Sequence, residues 1–225
     1  WLGRGNVFLE TRRYDEAYIA CDKAVSLDPN LKFALGARLQ AKLQLCDWSN
    51  LASEVQTFTA ATRARKLSST PFTLLSALSS PMEQLIGTKR YLEEQPAFPA
   101  IWRGERYEHD RIRIAYLSPD LADHPVAQQL IGLLEHHDRA RFELTAISFG
   151  PDSDSGLARR VRGSFDRFLD VRAQGDLEIA EQIRALEIDI AVDLCGYTQG
   201  CRLNILARRP APVQVSYLGY SATMG

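Results

Sequence analysis

The chain has 225 residues, of which 45% are hydrophobic and 24% are charged, a composition typical of a folded protein with one or two domains. Its 27 Lys and Arg residues are nearly balanced by 28 Asp and Glu residues, so its charge favours neither nucleic acid nor an anionic membrane as a partner. No apolar run reaches the length of about 18 residues that a transmembrane helix needs, and the spacing of the four cysteines indicates reduced core residues rather than metal ligands.

The first 30 residues predict two antiparallel helices of the tetratricopeptide type, a helical repeat of about 34 residues. The small residues Gly5 and Ala17 would let the two helices approach closely, and the bulky Phe8 would fill a groove. The second helix would end at "DPN" because Pro29 cannot continue it. A helical hairpin of another kind is the alternative. The positions in register with the repeat are Trp1, Gly5, Phe8, Ala17, Ala24 and Pro29.

More helices are predicted after this repeat. A degenerate or capping repeat is predicted, followed by a long helix to about Leu67, with Asp47 as the N-cap residue before Trp48. The Ser, Thr and Pro residues of "SSTPFTLLSALSSP", residues 68–81, predict a break, and "MEQLIGTKRYLEEQ", residues 82–95, predicts another helix. One repeat cannot bury its own faces, so we expect further repeats before Trp1 and regard the sequence as a piece of a longer protein.

"PAFPAIWRGERYEHD", residues 96–110, has no periodicity and is predicted to be a linker, and strands alternate with helices from Arg111 onward. This alternation predicts a parallel sheet with right-handed crossovers, a Rossmann-like half-domain. The predicted strands are 111–118, 142–150, 165–171, 188–194 and 213–220, and the predicted helices are 125–136, 155–164, 176–187 and 201–209. The predicted domains are repeat helices over 1–67, a helical linker region over 68–110 and the half-domain over 111–225.

Parallel sheets bind ligands at the carboxyl ends of their strands, and the first such end contains the sequence "SPDLADHP". His124 is predicted at the N-cap of the next helix, with Pro125 at its first position. The positive end of the helix dipole would keep the imidazole of His124 neutral, and a neutral imidazole can accept a proton or bind a hydroxyl. Alternatively, His124 only caps the helix, and Asp120 is only a loop carboxylate or a second cap.

The next two candidate strand ends carry turn residues. In "DLCGYTQGCR", two glycines flank Tyr197 and Thr198, which predicts a tight turn that presents polar side chains. Arg202 would begin the following helix and could reach an acidic group, although a turn with a surface arginine is the alternative. In "VSYLGYSATMG", Gly219 would let the backbone approach a ligand closely.

Taken together, the helical repeat, "LQLCDWSNL", "RIRIAYLSPDLADHP", "GYTQGCR" and "RPAPVQVSYLGY" resemble the O-linked N-acetylglucosamine transferases, the nucleocytoplasmic protein glycosyltransferases, and their bacterial homologues. The resemblance implies an α plus α/β chain: tetratricopeptide-type helical hairpins followed by a Rossmann-like parallel-sheet half of a GT-B glycosyltransferase. It also implies a cytoplasmic location, and a second GT-B half beyond Gly225 that supplies most contacts to the nucleotide.

The activity implied by the resemblance is inverting transfer of N-acetylglucosamine (GlcNAc) from UDP-GlcNAc to Ser or Thr hydroxyls of proteins, without a metal or other cofactor. The repeats would present the protein or peptide acceptor. His124 or Asp120 would be the general base. The residues implied to line the sugar and acceptor sites are Pro125, Tyr197, Thr198, Arg202, Leu218, Gly219 and Tyr220.

Three residues depart from the pattern of the animal enzymes: Phe72 lies near a family histidine, Val126 replaces a threonine, and Gln199 replaces a lysine. UDP-glucose as the donor and asparagine as the acceptor therefore stay open. A non-catalytic repeat scaffold, whose transferase-like domain binds a nucleotide sugar or a partner protein without turnover, is the alternative function. A transferase acting on lipid or glycan acceptors is a third hypothesis, which the repeats disfavour because such arrays usually recognise peptides.

Overall fold

The computed structural model describes residues 1–78 and 80–225. These residues form two compact units. The first, here called the helical unit, comprises Trp1–Pro96 with Ala222–Gly225, and the second, the sheet unit, comprises Ala97–Ser221. The predicted domain limits at 67 and 110 stay a prediction. No helix in the described residues is long and apolar enough to cross a membrane.

The helical unit is built from short helices, and Phe8, Ala17, Ala20 and Ala41 form one of its buried clusters. The pattern of the first two helices agrees with the predicted hairpin, and the second ends at Leu27, just before "DPN". The tetratricopeptide assignment itself stays a prediction. The helices in the described part of this unit are α1 (Leu2–Glu10), α2 (Tyr14–Leu27), α3 (Ala34–Gln44), α4 (Leu51–Arg63), α5 (Pro71–Ala77) and α6 (Pro81–Leu92).

Close packing of α1 on α2 depends on Gly5. A Cβ atom at Gly5 would overlap Sγ of Cys21 on α2, and it would lie 3.5 Å from the carbonyl oxygen of Ala17. Ala17 and Cys21 are themselves fully buried. The predicted close approach of the two helices at Gly5 and Ala17 is therefore confirmed.

Two predictions for the helical unit were wrong. Asp47 does not cap a helix, because α4 begins at Leu51 with Asn50 at its N-cap. The Asp47 carboxylate instead accepts hydrogen bonds from Nζ of Lys42 at 2.8 Å and from the backbone N–H of Ser49 at 2.9 Å. A buried lysine needs an anionic partner, which explains why Asp47 turns toward Lys42.

The second error concerns the predicted break over 68–81, which contains the helix α5 (Pro71–Ala77). Pro71 stands at the start of this helix, where proline is favoured rather than disruptive. Leu74 and Leu78 are buried in a cluster with Leu39 and Phe58, so packing stabilises a helix in a stretch rich in serine and threonine. Ser79, which also belongs to the predicted break, lies outside the described residues.

The sheet unit has five parallel strands, and its sheet confirms the predicted half-domain. The strand order is β3-β2-β1-β4-β5. The strands are β1 (Ile112–Ser118), β2 (Phe142–Ser148), β3 (Arg167–Asp170), β4 (Ile190–Asp193) and β5 (Val213–Ser216). The helices between them are α7 (Pro125–His136), α8 (Gly156–Gly163), α9 (Asp176–Ala185) and α10 (Asn204–Ala207). Every strand and helix predicted after Arg111 is present, with ends that differ by a few residues.

Apolar layers cover both faces of the sheet, as a parallel sheet requires. Ile114 and Tyr116 of β1 pack in one layer with Leu130 and Leu134 of α7. The alternate residues Ala115 and Leu117 belong to the other layer, which α9 and α10 contribute through Ile179, Ile183 and Ile205. The segment 97–110 has no helix or strand, as predicted, but it is bound to this unit because Ile101 N–H donates to the Arg208 carbonyl at 2.7 Å.

Gly5→Ala should destabilise the helical unit by about 1–3 kcal/mol, because the added methyl group overlaps a buried sulfur atom. Gly3→Ala in the same helix is the matched control, because nothing lies within 4 Å of an added Cβ there. Because alanine favours a helix more than glycine does, Gly3→Ala should stabilise the helical unit by up to about 1 kcal/mol. Urea unfolding of both variants, followed by circular dichroism, measures the difference. Equal effects of the two substitutions would contradict the close packing of α1 on α2.

Gly150→Ala should destabilise the sheet unit by about 3 kcal/mol or more, because its methyl group would overlap the backbone carbonyl oxygen of Pro119, which cannot move aside like a side chain. The control is Gly132→Ala in α7, where an added Cβ meets nothing within 4 Å. Hydrogen exchange of the β1 and β2 amides reports on this unit alone. Unchanged exchange in Gly150→Ala would show that the two loops do not touch.

Candidate active site

The candidate site lies at the carboxyl edge of the sheet, where the strand order reverses between β1 and β4. In a sheet of this order the crevice beyond these two strands is the usual ligand site. Leu117 of β1 pairs with Asp193 of β4, so both strands end at the same level. Below the edge, the buried Oγ of Ser118 accepts a hydrogen bond from Asp120 N–H at 2.9 Å and lies 3.8 Å from Sγ of Cys195.

His124 occupies the N-cap of α7, with Pro125 at the first helical position, as predicted. Its Nδ1 accepts a hydrogen bond from the backbone N–H of Val126 at 3.3 Å. An imidazole nitrogen that accepts a hydrogen bond carries no proton, so the proton of the neutral ring is on Nε2. His124 therefore caps the helix and, at the same time, offers Nε2–H as a hydrogen-bond donor.

Asp120 is the carboxylate next to His124. Its Oδ2 is 3.6 Å from Nδ1 of His124, and its side chain is 21% exposed against 45% for His124. Burial raises the pKa of Asp120 above its ordinary value, an effect that a charge on His124 opposes. A carboxylate with a raised pKa is a stronger proton acceptor than a solvated one. The structure thus brings the two predicted catalytic residues together. Of the two, Asp120 has free lone pairs with which it can accept a proton, because Nδ1 of His124 already accepts from Val126.

The loop after β4 forms the predicted tight turn. Gly196 has a φ of +56°, a conformation that glycine adopts at little cost. Both the N–H and the hydroxyl of Thr198 donate to the Cys195 carbonyl, at 3.2 and 2.9 Å. The ring of Tyr197 meets the ring of Tyr220 edge to face, with centroids 5.5 Å apart. The turn therefore brings Tyr197 and Tyr220 together, while the Thr198 hydroxyl holds the turn itself.

Arg202 does not begin the next helix as predicted, because α10 starts at Asn204 with Leu203 at its N-cap. It does reach an acidic group, and that group belongs to this chain. Its Nε and Nη2 both lie within 2.7 Å of Oδ1 of Asp176. Nη2 also donates to the carbonyl of Gln174 at 2.7 Å.

Leu218 and Gly219 form a strained turn directly after β5. The N–H of Gly219 donates to the Tyr217 carbonyl at 2.9 Å, and Leu218 between them has a φ of +69°. These values define a γ-turn of the rare form with a positive φ. Backbone strain in a residue other than glycine concentrates at ligand sites. Tyr220, which follows the turn, is 5% exposed.

Two aspartates that organise this edge were not predicted from the sequence. Asp193, at the end of β4, is buried and accepts hydrogen bonds from the N–H groups of Cys195 and Gly196 at 3.0 and 2.9 Å. Burial raises its pKa. Asp123 accepts hydrogen bonds from the hydroxyls of Ser153 and Ser155, both at 2.6 Å. The signals available in the sequence were the aspartate before the turn in "DLCG" and the serines of "PDSDSG".

A cavity of about 340 Å³ opens where the strands begin, at the other edge of the sheet. Several of its charged side chains are already paired: Arg111 Nη2 lies 3.3 Å from Oε2 of Glu143, and His109 lies between Glu187 and Asp189. Ligands of parallel sheets bind at the carboxyl edge, so this cavity is the weaker candidate. In residues 1–78 and 80–225, no three His, Cys, Asp or Glu side chains are grouped to hold a metal ion.

Curated proteins with similar sequences are named as glycosyltransferases. The chain is 35% identical over 115 residues to a probable UDP-N-acetylglucosamine–peptide N-acetylglucosaminyltransferase SEC of Arabidopsis thaliana, covering 51% of this chain and 12% of that protein. It is 33% identical over 116 residues to the UDP-N-acetylglucosamine–peptide N-acetylglucosaminyltransferase of Caenorhabditis elegans, covering 51% of this chain and 10% of that protein. The chain thus spans about a tenth of the length of these relatives.

A solved structure is similar over nearly the whole chain. A mutant of the Thermobaculum terrenum O-GlcNAc transferase superposes with a TM-score of 0.60 and 31% sequence identity, covering 96% of this chain and 42% of that one. The predicted fold class, helices followed by a Rossmann-like half of a GT-B transferase, is thereby confirmed. The family model described as glycosyl transferase family 41 matches residues 92–225. Since this match covers more than half of the chain, the protein belongs to glycosyl transferase family 41.

Proposed function

We propose that the protein of which this chain is a part transfers N-acetylglucosamine from UDP-GlcNAc to Ser or Thr hydroxyls of proteins, with inversion at the sugar carbon and without a metal. The family and the names of the relatives support this reaction class. The observation that carries it is the position of the partly buried Asp120 carboxylate beside His124 at the carboxyl end of β1. A hydroxyl is a poor nucleophile until a base takes its proton, and Asp120 supplies such a base.

In the proposed reaction, the acceptor oxygen attacks the anomeric carbon from the face opposite the diphosphate. The bond from that carbon to the diphosphate oxygen breaks, UDP leaves with the bonding electrons, and the hydroxyl proton passes to the Asp120 carboxylate. His124 donates a hydrogen bond from Nε2–H to a substrate oxygen. The geometry favours these roles over His124 as the base, because the lone pair on Nδ1 already accepts from Val126.

The other predicted site residues, apart from Thr198 and Arg202, are proposed as walls of the same crevice. Pro125 and the loop of Leu218, Gly219 and Tyr220 would pack on the sugar. Tyr197, whose ring contacts that of Tyr220, would face the acceptor. The helical unit is proposed as part of a tetratricopeptide array that presents the acceptor protein. A cytoplasmic location is proposed on the resemblance alone.

Asp120→Asn should lower the transfer rate by about 100- to 10,000-fold, the usual contribution of a general base. Because the base must be ionised and burial raises its pKa, the wild-type rate should fall as the pH decreases through that raised pKa. The acid limb of the profile of kcat/KM against pH should disappear in Asp120→Asn. A wild-type acid limb that persists in the variant would show that another group accepts the proton.

His124→Asn separates the two possible roles of this histidine. Asparagine is a good N-cap residue, so the variant should keep the stability of α7, yet it lacks the Nε2–H donor. We expect transfer to fall by about tenfold or more, as the loss of a hydrogen bond in the transition state predicts. Transfer at the wild-type rate would show that His124 only caps the helix.

The reaction is tested by single-turnover transfer from radiolabelled UDP-GlcNAc to lysate proteins with the intact parent protein. We expect label on protein, and none with Asp120→Asn. A parallel reaction with UDP-glucose distinguishes the donor sugars. Clear binding of UDP in calorimetry with no transfer from either donor would contradict the proposal and favour the non-catalytic scaffold.

A further inference from the structure

The loop between β4 and α10, residues 194–203, carries a charged side chain that binds the segments beside it. This side chain is Arg202. The loop also carries Tyr197 and Thr198, two of the predicted substrate-binding residues. It contains no helix or strand, so its conformation depends on the contacts that fix its two ends.

The first end of the loop is fixed by hydrogen bonds to Asp193, the last residue of β4. The buried carboxylate of Asp193 accepts the N–H groups of Cys195 and Gly196, and the Thr198 hydroxyl closes the turn on the Cys195 carbonyl. The backbone N–H groups of residues 199–201 donate one hydrogen bond to another backbone group, from Cys201 N–H to the Thr198 carbonyl at 3.3 Å. At the second end, the side chain of Arg202 adds charged contacts to other segments.

Arg202 contacts three other segments of the sheet unit. Its Nε and Nη2 bind Asp176 in the first turn of α9, and Nη2 also binds the carbonyl of Gln174 in the loop after β3. Its guanidinium lies 5.7 Å from the ring centroid of Phe149, which follows β2. Charge-assisted hydrogen bonds of this kind are about twice as strong as neutral ones. The pair with Asp176 is 21% and 26% exposed, so solvent screens it less than a surface pair.

Asp176 is well placed to hold this arginine. It lies in the first turn of α9, where the helix dipole favours a negative charge. Its carboxylate is thus attracted by both the helix terminus and Arg202. A substrate group that competed for Arg202 would therefore have to displace a carboxylate that the helix terminus also stabilises.

We propose that Arg202 is a positioning residue, which sets the loop carrying Tyr197 and Thr198 through its pair with Asp176, and that it is not a ligand of the substrate. The expected effect of Arg202 on transfer rests on the proposed function, whereas its effect on the loop does not. It assigns a role to Asp176, which lies in α9 and outside the predicted site.

A double-mutant cycle separates positioning from substrate contact. Arg202→Gln and Asp176→Asn should each lower kcat/KM for the acceptor by about tenfold, and the double variant should be no worse than either single one, because both remove the same interaction. Arg202→Lys should not rescue, since lysine lacks the planar fork. If Arg202 instead binds the substrate, Asp176→Asn leaves transfer intact or improves it while Arg202→Gln lowers it, and that result overturns the proposal.

The neighbouring Cys201 gives a readout that does not require transfer. Cys201 is partly buried, whereas Cys46 is exposed, and burial raises the pKa of the Cys201 thiol. Its alkylation, measured by peptide mass spectrometry relative to Cys46 in the intact protein, should be slow in the wild type. Arg202→Gln and Asp176→Asn should each accelerate it by about tenfold, as release of a locally ordered loop predicts.

The matched control is the exposed pair between Arg160 of α8 and Glu135 of α7, joined at 2.6 Å. Arg160→Gln should leave both Cys201 alkylation and transfer unchanged, because exposed ion pairs contribute little. Unchanged Cys201 alkylation in both Arg202→Gln and Asp176→Asn would overturn the positioning role. Faster alkylation in a protein that shows no transfer even as wild type would keep the positioning role and reject the proposed function.

Discussion

Close backbone approach at the carboxyl edge of the sheet is the constraint on which the candidate site depends. The loop after β2 touches the loop after β1 where Gly150 meets the Pro119 carbonyl, and the loop after β5 touches the end of β4 where Gly219 meets the Leu194 carbonyl. A Cβ atom at either position would overlap the opposing oxygen. Four strand ends therefore converge on one surface, and the candidate residues lie on the loops that this packing holds.

The interior below this surface is polar and hydrogen bonded. Ser118 and Asp193 are buried and accept backbone N–H groups of the two central loops. Buried polar groups with partners fix a single backbone conformation, whereas unpaired ones are costly. Cys195 lies in the same layer, and burial raises its pKa to about 12. Its thiol therefore stays protonated near neutral pH and does not compete with Asp120 for a proton or with the acceptor for the sugar.

Local patterns in the sequence were sufficient to predict the sheet unit. Continuous apolar runs gave the buried strands, and the His-Pro pair marked the start of α7, because proline at the first helical position is a local effect. Predictions from local patterns were wrong where tertiary contacts determine the local structure. Lys42 draws Asp47 away from the helix that it was expected to cap, and Leu39 and Phe58 stabilise α5 inside a stretch that has the composition of a loop.

The candidate site shows the same division. The adjacency of Asp120 and His124 follows from their spacing after one strand. The partner of Arg202 does not, because Asp176 is distant in the sequence and only the order of the strands brings it near. The strained turn at Leu218 was also outside the reach of a sequence pattern, since leucine rarely adopts a positive φ and nothing in "YLGY" distinguishes this turn from a relaxed one.

Hydrogen exchange of the intact parent protein, with and without UDP-GlcNAc, tests most directly whether the carboxyl edge of this sheet is the substrate site. We expect the donor to slow exchange in residues 119–124, 194–203 and 217–221, which form the loops after β1, β4 and β5. Slower exchange at 108–113, beside the cavity at the opposite edge, with no change in these three loops would contradict the placement of the active site.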